Sequence, residues 1–412
     1  MKQDGQAKSS ESLPLKGLRV IEFVHMVMGP SCGLILADLG AEVIKVEPFG
    51  GDNTRRLVGA GAGFFVYFNR NKKSLAIDLK SAEGRDIVLR LVDSADVMTE
   101  NFRPGAMDRL GFGYAAMAGR NPRLIYASLK GFLEGPYAQR TALDEVVQMM
   151  GGLAYMTGPP GRPLRAGTSV NDIMGGMFAV IGILAALQQR HFSGVGQLVK
   201  SALFENNVFL VAQHMLQEAI TGQAPDPMPE RISAWGIYDV FITRDAEQLF
   251  IGVVTDSQWQ VFCEQFDQPG LLADPNLSSN NLRVAARATL IPVVAEVFGQ
   301  YTKYELMVIC ERSGLPFAPI TRPGELFEDP HLNASGGLLD IRLPDGRAGQ
   351  APALPLEQNG RRPGLRMNAP AIGEHTVALL QELGYDDEAI ARLRARRVIA
   401  DETAQNCNPG SE

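Results

Sequence analysis

Short apolar runs rich in Val, Ile and Leu alternate with amphipathic stretches through the first part of the chain. Leu18–Phe23 and Glu42–Glu47 read as strands, with Ser31–Leu39 as the helix between them. A second cycle follows, with Ser74–Leu79 as strand, Ala82–Val92 as amphipathic helix, and Asp96–Thr99 and Leu124–Ser128 as further strands. Apolar strands separated by helices imply a parallel sheet covered on both faces. The expected class is therefore α/β. Apolar residues recur at helical spacing from Leu143 to Met150 and from Ile173 to Gln189, which predicts two core helices. The longest nearly apolar stretch, Met177–Leu187, is shorter than the roughly 20 residues that span a bilayer. It reads as a buried helix, and no membrane partner is expected.

The pattern changes at Gln223–Pro229, where Pro, Asp and Gln accumulate. We place a linker at 223–234 and a small α+β domain at 235–325. The latter has strands Ile237–Ile242 and Leu249–Val254 and helices near Trp259–Phe266 and Ala285–Phe298. Beyond Gly336 the chain is loop-rich and closes with two short helices across Glu374–Leu383 and Asp387–Arg396. Residues 1–13 and 401–412 are polar and read as a disordered leader and tail.

Composition narrows the function. Four cysteines lie far apart with no CxxC pair, and five histidines show no HxH or HExxH spacing. Neither a disulfide framework nor a metal site is suggested, and a reducing, cytoplasmic setting fits. A formal charge of −7 with dispersed Lys and Arg argues against nucleic acid as a partner, since phosphate-tracking surfaces show a basic stripe. Glu47 ends the second strand where a ribose-binding acid would stand, but the first turn, Val24–Pro30, holds one glycine where a dinucleotide fingerprint needs three. The cluster Gly59–Gly63 follows a charged segment and reads as a mobile loop.

Asp172 precedes a mostly apolar helix whose first turn contains Gly175 and Gly176. Asp is a good N-cap, so one reading is a capping residue. The other reading is a nucleophile, because a helix start favours the carboxylate ion, adjacent glycines admit a ligand, and a carboxylate can attack a thioester carbonyl to give a mixed anhydride. Asp144 and Gln148 share one helix face, and Thr141 with Asp144 forms a loose capping-box pattern. Arg55, Arg56, Lys72, Lys73, Lys80, Arg103 and Arg109 could meet phosphates, although most such residues are solvated surface.

Leu15–Val20, Gly29-Pro30, Asp38–Glu47, Gly51–Arg55 and Asn69–Ser74 form an ordered set of motifs, continued by Glu100–Gly105, Asn121–Ser128, Gly314–Pro319, Asp329–His331 and Gly373–Thr376. By these the chain resembles the class III coenzyme A transferase family, which also contains 2-methylacyl-CoA racemases. The resemblance implies a large Rossmann-like parallel-sheet domain built from both termini, with 14–222 as its first part and 326–400 as the return linker and remainder. It also implies a smaller α+β domain and two chains interlocked like rings in a homodimer. Asp172 matches the family's nucleophile, with Asp144 beside it in the expected catalytic set. Coenzyme A contacts carry over to His25, Met26, Met28, Ile77, Lys80, Asn101, Phe102 and Arg109. Coenzyme A thioesters are then substrates, with small carboxylic acids as partners and no permanently bound cofactor. Family racemases carry histidine immediately before the aspartate that matches Asp144, whereas Leu143 here cannot exchange a proton, which favours transfer over racemisation. A non-catalytic coenzyme A-binding subunit is a third reading. The resemblance extends to transferases using succinyl-CoA and a second dicarboxylate, and Arg165 is a candidate for the distal carboxylate. The segment Gly252–Gln258 stands where related transferases have a glycine-rich loop, with one glycine remaining.

Overall fold

A computed structural model describes residues 13–231 and 233–400 of the chain. The expected tail and, apart from Leu13, the expected leader lie outside the described residues. Two compact units emerge, with boundaries after Ala224 and after Asp329.

The first unit is organised by a seven-stranded sheet. Its strands are β1 (Arg19–Phe23), β2 (Glu42–Glu47), β3 (Lys72–Ile77), β4 (Val97–Glu100), β5 (Ile125–Lys130) and β6 (Leu198–Ala202), with Ile399–Ala400 at one edge. The order is terminal strand, β3, β2, β1, β4, β5, β6, and every pairing is parallel except that of the terminal strand with β3. Strand residues alternate between two cores. Val20, Val43, Val97 and Ile125 face helices α1 (Met28–Asp38) and α4 (Val170–Ser193). Ile21, Ile44, Leu75 and Met98 face α2 (Ala82–Asp93) and two C-terminal helices. Burial on both faces is why these strands are rich in Val, Ile and Leu on consecutive positions instead of strictly alternating. Helix α2 starts where the Ser81 hydroxyl accepts the Gly84 N–H, and it buries Ile87, Val88, Leu91 and Val92. The C-terminal segment is tied in by the Gly373 N–H to Ser74 Oγ at 2.8 Å and by the Ala76 N–H to Thr376 Oγ1 at 3.1 Å.

Between β5 and the end of the unit's first stretch lie α3 (Asp144–Met150), α4, and α5 (Leu203–Thr221) after β6. The expectation that Met177–Leu187 forms a buried helix is corrected. Helix α4 runs for 24 residues, and by length and composition alone could cross a membrane. One face, with Gly175, Gly176, Ala179, Val180 and Ile183, is buried, while Met177 and Ile181 on the other are 48% and 58% exposed. Gly176 is required by close helix contact, since a Cβ there would lie 2.0 Å from Ser31 Oγ and 2.8 Å from the Met28 carbonyl oxygen. Gly175 likewise faces Met28 Cε and Asn206 Nδ2. The two glycines thus serve helix packing, and not the close ligand approach that their position suggested. The cluster Gly59–Gly63 is also not a plain loop: Gly59–Gly61 forms a 3-10 turn that leads into a short helix, Phe64–Phe68.

The second unit has an antiparallel sheet of β7 (Ile237–Ile242), β8 (Gln248–Val253) and β9 (Phe317–Pro319), covered by helices whose Trp259, Phe262, Val294 and Phe298 form its core. Gly252 lies inside β8 with its N–H on the Pro316 carbonyl at 2.9 Å, so it belongs to a ladder instead of a loop.

Candidate functional site

In an open parallel sheet, ligands bind at the carboxyl ends of the strands where the strand order reverses. Here that point lies between β1 and β4. Four of the expected contacts, His25, Met26, Asn101 and Phe102, lie there. The His25 N–H donates to Asn101 Oδ1 at 3.0 Å and Asn101 Nδ2 returns a bond to the His25 carbonyl at 2.8 Å, which joins the ends of the two strands. The Phe102 ring stands edge-on to His25, centroids 5.6 Å apart. Met26 adopts φ 62°, held by its N–H on Thr54 Oγ1 at 3.0 Å, and a non-glycine residue in this left-handed region is a common mark of a functional turn. Desolvation lowers the His25 imidazole from its ordinary value, although the residue remains exposed overall.

The other expected contacts are placed differently. Met28 and Ile77 are buried core residues, so only their backbone could meet a ligand. Lys80 and Arg109 are exposed. Among the candidate phosphate cations, Lys72 is fully buried on Glu22 at 2.9 Å, and burial lowers it to about 8. Arg55 pairs with Glu47 at 2.6 Å, and Lys73 pairs with Glu42. These three are structural cations, neutralised by acids on β1 and β2.

Asp172 is the third residue of α4, behind the N-cap Ser169, so the capping reading is corrected. The cap is supplied by another helix. Asp144 Oδ1 accepts the Asn171 N–H at 2.7 Å and the Asp172 N–H at 3.1 Å, while its other oxygen accepts from Gln148 Nε2. Asp144 opens α3 behind Leu143, which makes no side-chain cap, so the proposed Thr141 capping box is absent. Gln148 Oε1 in turn accepts the Ala166 N–H at 2.8 Å, fastening the loop that leads to Asp172. Arg165 on that loop forms an ion pair with Glu145 at 2.7 Å, both side chains being exposed.

Among the described residues no donor reaches the Asp172 carboxylate, which burial first and the Asp144 charge second push up to about 7. A helix start alone would lower it. Desolvation and a like charge outweigh the dipole, leaving a carboxylate that is half ionised near neutrality and more basic than an ordinary one. Asn171 and Asn207, which hold this turn from behind, were not anticipated; the polar pair Asn206-Asn207 inside the apolar start of α5 was the available signal. Among the described residues no group of His, Cys, Asp and Glu is arranged for a metal ion.

The combination is that of a doubly wound α/β fold whose strand order reverses between β1 and β4, with a carboxylate that meets no donor among the described residues on a helix of the same unit. Residues 15–376 match CoA-transferase family III, and the chain belongs to that family. It is 36% identical over 411 residues to an acyl-CoA transferase of Fusarium pseudograminearum, covering 96% of this chain and 90% of that one. It is 34% identical over 383 residues to a succinate–glutarate CoA-transferase of Agrobacterium fabrum, covering 90% and 96%. A solved CAIB/BAIF family protein from Brucella suis superposes with TM-score 0.79 and 33% identity over 90% of this chain and 99% of that chain. The protein is a CoA-transferase that moves coenzyme A between acyl-CoA and carboxylic acids.

Proposed function

We propose that the donor is succinyl-CoA or another dicarboxylyl-CoA, and that transfer runs through covalent intermediates on Asp172. The Asp172 carboxylate attacks the donor's thioester carbonyl, the C–S bond breaks, and coenzyme A thiolate leaves a mixed anhydride. The thiolate then attacks the aspartyl carbonyl, expelling the donor acid and leaving an aspartyl thioester. The acceptor carboxylate attacks this thioester to form a second anhydride, and returning thiolate takes the acceptor acyl group and restores the Asp172 carboxylate. Splitting one exchange into such steps is ordinary nucleophilic catalysis. The observation that carries this reading is the unpartnered carboxylate of Asp172, raised to about 7 by burial and Asp144.

The thioester's coenzyme A part is assigned to the carboxyl ends of β1 and β4, with His25, Met26, Asn101 and Phe102 as side-chain contacts, Met28 and Ile77 as backbone walls, and the exposed Lys80 and Arg109 for phosphates. Racemisation is not favoured, because Leu143, 59% exposed and aliphatic, stands where proton exchange would need a base. The dicarboxylate preference is supported by the Agrobacterium relative's name and by Arg165. A donor-by-acceptor exchange screen read by mass spectrometry tests it: dicarboxylates should exchange fastest, and a monocarboxylate-only pattern would refute it.

We further assign a homodimer with the interlocked arrangement that the family resemblance implies. Helix α5 has only Leu203, Asn206, Asn207 and Val211 buried along 19 residues, while Phe209, Met215, Leu216 and Ile220 are exposed. Met149 on α3 and Ile181 on α4 add to this apolar surface. Patches of this extent on soluble chains mark interfaces, and a helix apolar on several sides needs cover. Sedimentation across a wide dilution series should show no folded monomer; a reversible monomer would contradict the interlocked form.

A further inference from the structure

Residue 171 is clamped from two directions. Its backbone N–H is held by Asp144 of α3 at 2.7 Å, and its side-chain Nδ2 donates to Asn207 Oδ1 of α5 at 3.0 Å. The next backbone N–H, that of Asp172, goes to the same Asp144 oxygen at 3.1 Å. Three helices therefore fix the peptide from which the Asp172 side chain departs. Asn171 and Asn207 are fully buried, yet among the described residues Asn171 Oδ1, Asn207 Nδ2 and the neighbouring Asn206 Nδ2 have no hydrogen-bond partner. Buried amide atoms left unpaired are destabilising, and an apolar pair of similar shape would be neutral or better. Stability does not explain these amides.

The surroundings are shaped to them. A Cβ at Gly151, the C-cap of α3, would lie 2.0 Å from Asn207 Nδ2, and one at Gly175 would lie 2.9 Å from Asn206 Nδ2. Glycine is present where the amides need room.

We propose that Asn207, acting through Asn171, is a positioning residue that sets the attack direction of the Asp172 carboxylate. The inference rests on the reading of Asp172 as nucleophile. Orientation errors of about 1 Å at a reacting group cost on the order of a hundredfold in rate. A neutral clamp also leaves the charge balance around Asp172 to Asp144 alone. Of the other charged residues on the elements packed against α4, Asp38 is paired with Arg70, Lys130 with Glu100, Glu145 with Arg165 and Lys200 with Glu134, and Glu205 accepts the Leu133 N–H.

The test uses the intact protein and the variants Asn207→Leu, Asn171→Ala and the double variant, with Asp172→Asn in parallel. The readouts are acyl-CoA affinity, KM, kcat and urea stability. Asn207→Leu should keep acyl-CoA affinity and KM within about twofold and should still fold, with some loss of urea stability because Asn171 Nδ2 is left buried without its acceptor. Its kcat should fall about 10–100-fold. The double variant should be no slower than Asn171→Ala, because the two residues act through one another. A stable Asn207→Leu with unchanged kcat, or independent additive losses, overturns the proposal. If Asn207→Leu does not fold, Asn207→Ser, which keeps a polar acceptor, must show the same split between kcat and KM, and equal changes in both overturn it. Retained turnover in Asp172→Asn would instead show that the nucleophile reading has failed, and the positioning role with it.

Discussion

Replacing Asp144 by Asn removes a charge while keeping an oxygen for the Asn171 and Asp172 N–H groups, which now lie 2.7 and 3.1 Å from Asp144 Oδ1. The consequence can be worked through Asp172. Its carboxyl rises from 3.8 to about 7, with burial the larger cause and Asp144 the smaller. Burial is the larger cause, so removing the Asp144 charge should bring Asp172 only part of the way back toward its ordinary value. The nucleophile must be ionised, so kcat/KM in the wild type should fall tenfold per unit below about pH 7. In Asp144→Asn this acid limb should move down by about one unit. Activity above pH 8 should also fall several-fold, because a less basic carboxylate is a weaker nucleophile and Gln148 Nε2 loses a charged acceptor. The assay is the pH dependence of kcat/KM for one donor and acceptor pair, with wild type alongside. A limb that stays in place or moves upward would refute the assignment of Asp144 as the like charge beside the nucleophile.

Asp172→Asn should stabilise the protein while abolishing exchange. Because the folded-state pKa is raised to about 7, the destabilising charge is absent below about pH 4, grows between 4 and 7 and is complete above 7, so urea unfolding should show a gain on the order of 2–4 kcal/mol at pH 8 and little at pH 4; equal gains at both would refute it. Gly176→Ala should lose about 1–3 kcal/mol of urea stability, since its Cβ would meet the Met28 carbonyl oxygen at 2.8 Å and the Cys32 nitrogen at 2.9 Å; an unperturbed variant would contradict the close packing of α1 on α4. Arg165→Ala should weaken a dicarboxylate acceptor more than a matched monocarboxylate by on the order of 1–2 kcal/mol in kcat/KM, and equal losses would leave Arg165 as Glu145's surface partner only.

The parallel sheet was legible in the sequence because strands buried on both faces become largely apolar runs, as in Val20-Ile21 and Val43-Ile44, interrupted only by the buried Glu22 and Lys45. The helix starts were less so. Asp172 reads as a cap on any local rule, whereas its actual cap comes from Asp144, a contact across 28 positions that no spacing encodes. The same is true of the cations: Lys72 and Arg55 look like phosphate ligands until the fold of the sheet brings Glu22 of β1 and Glu47 of β2 beside them. Gly175 and Gly176 were recognised as a place of close approach, but which surface approaches is a tertiary fact, and it is α1. Helix α4 carries apolar residues on two faces, only one of which this chain covers, so periodicity alone could not tell core from interface. Family resemblance singled out His25, Asn101 and Phe102, which lie together at the strand ends; their mutual bonds follow from strand order, which local patterning does not contain.

The central claim is that acyl transfer passes through the Asp172 carboxylate. The most direct measurement is to mix the protein with acyl-CoA, quench with hydroxylamine, and locate the modified peptide by mass spectrometry. A hydroxamate should form at Asp172 only when acyl-CoA is present, and it should be absent from Asp172→Asn. A hydroxamate at Asp144, or full turnover with no modified carboxylate, would contradict that claim.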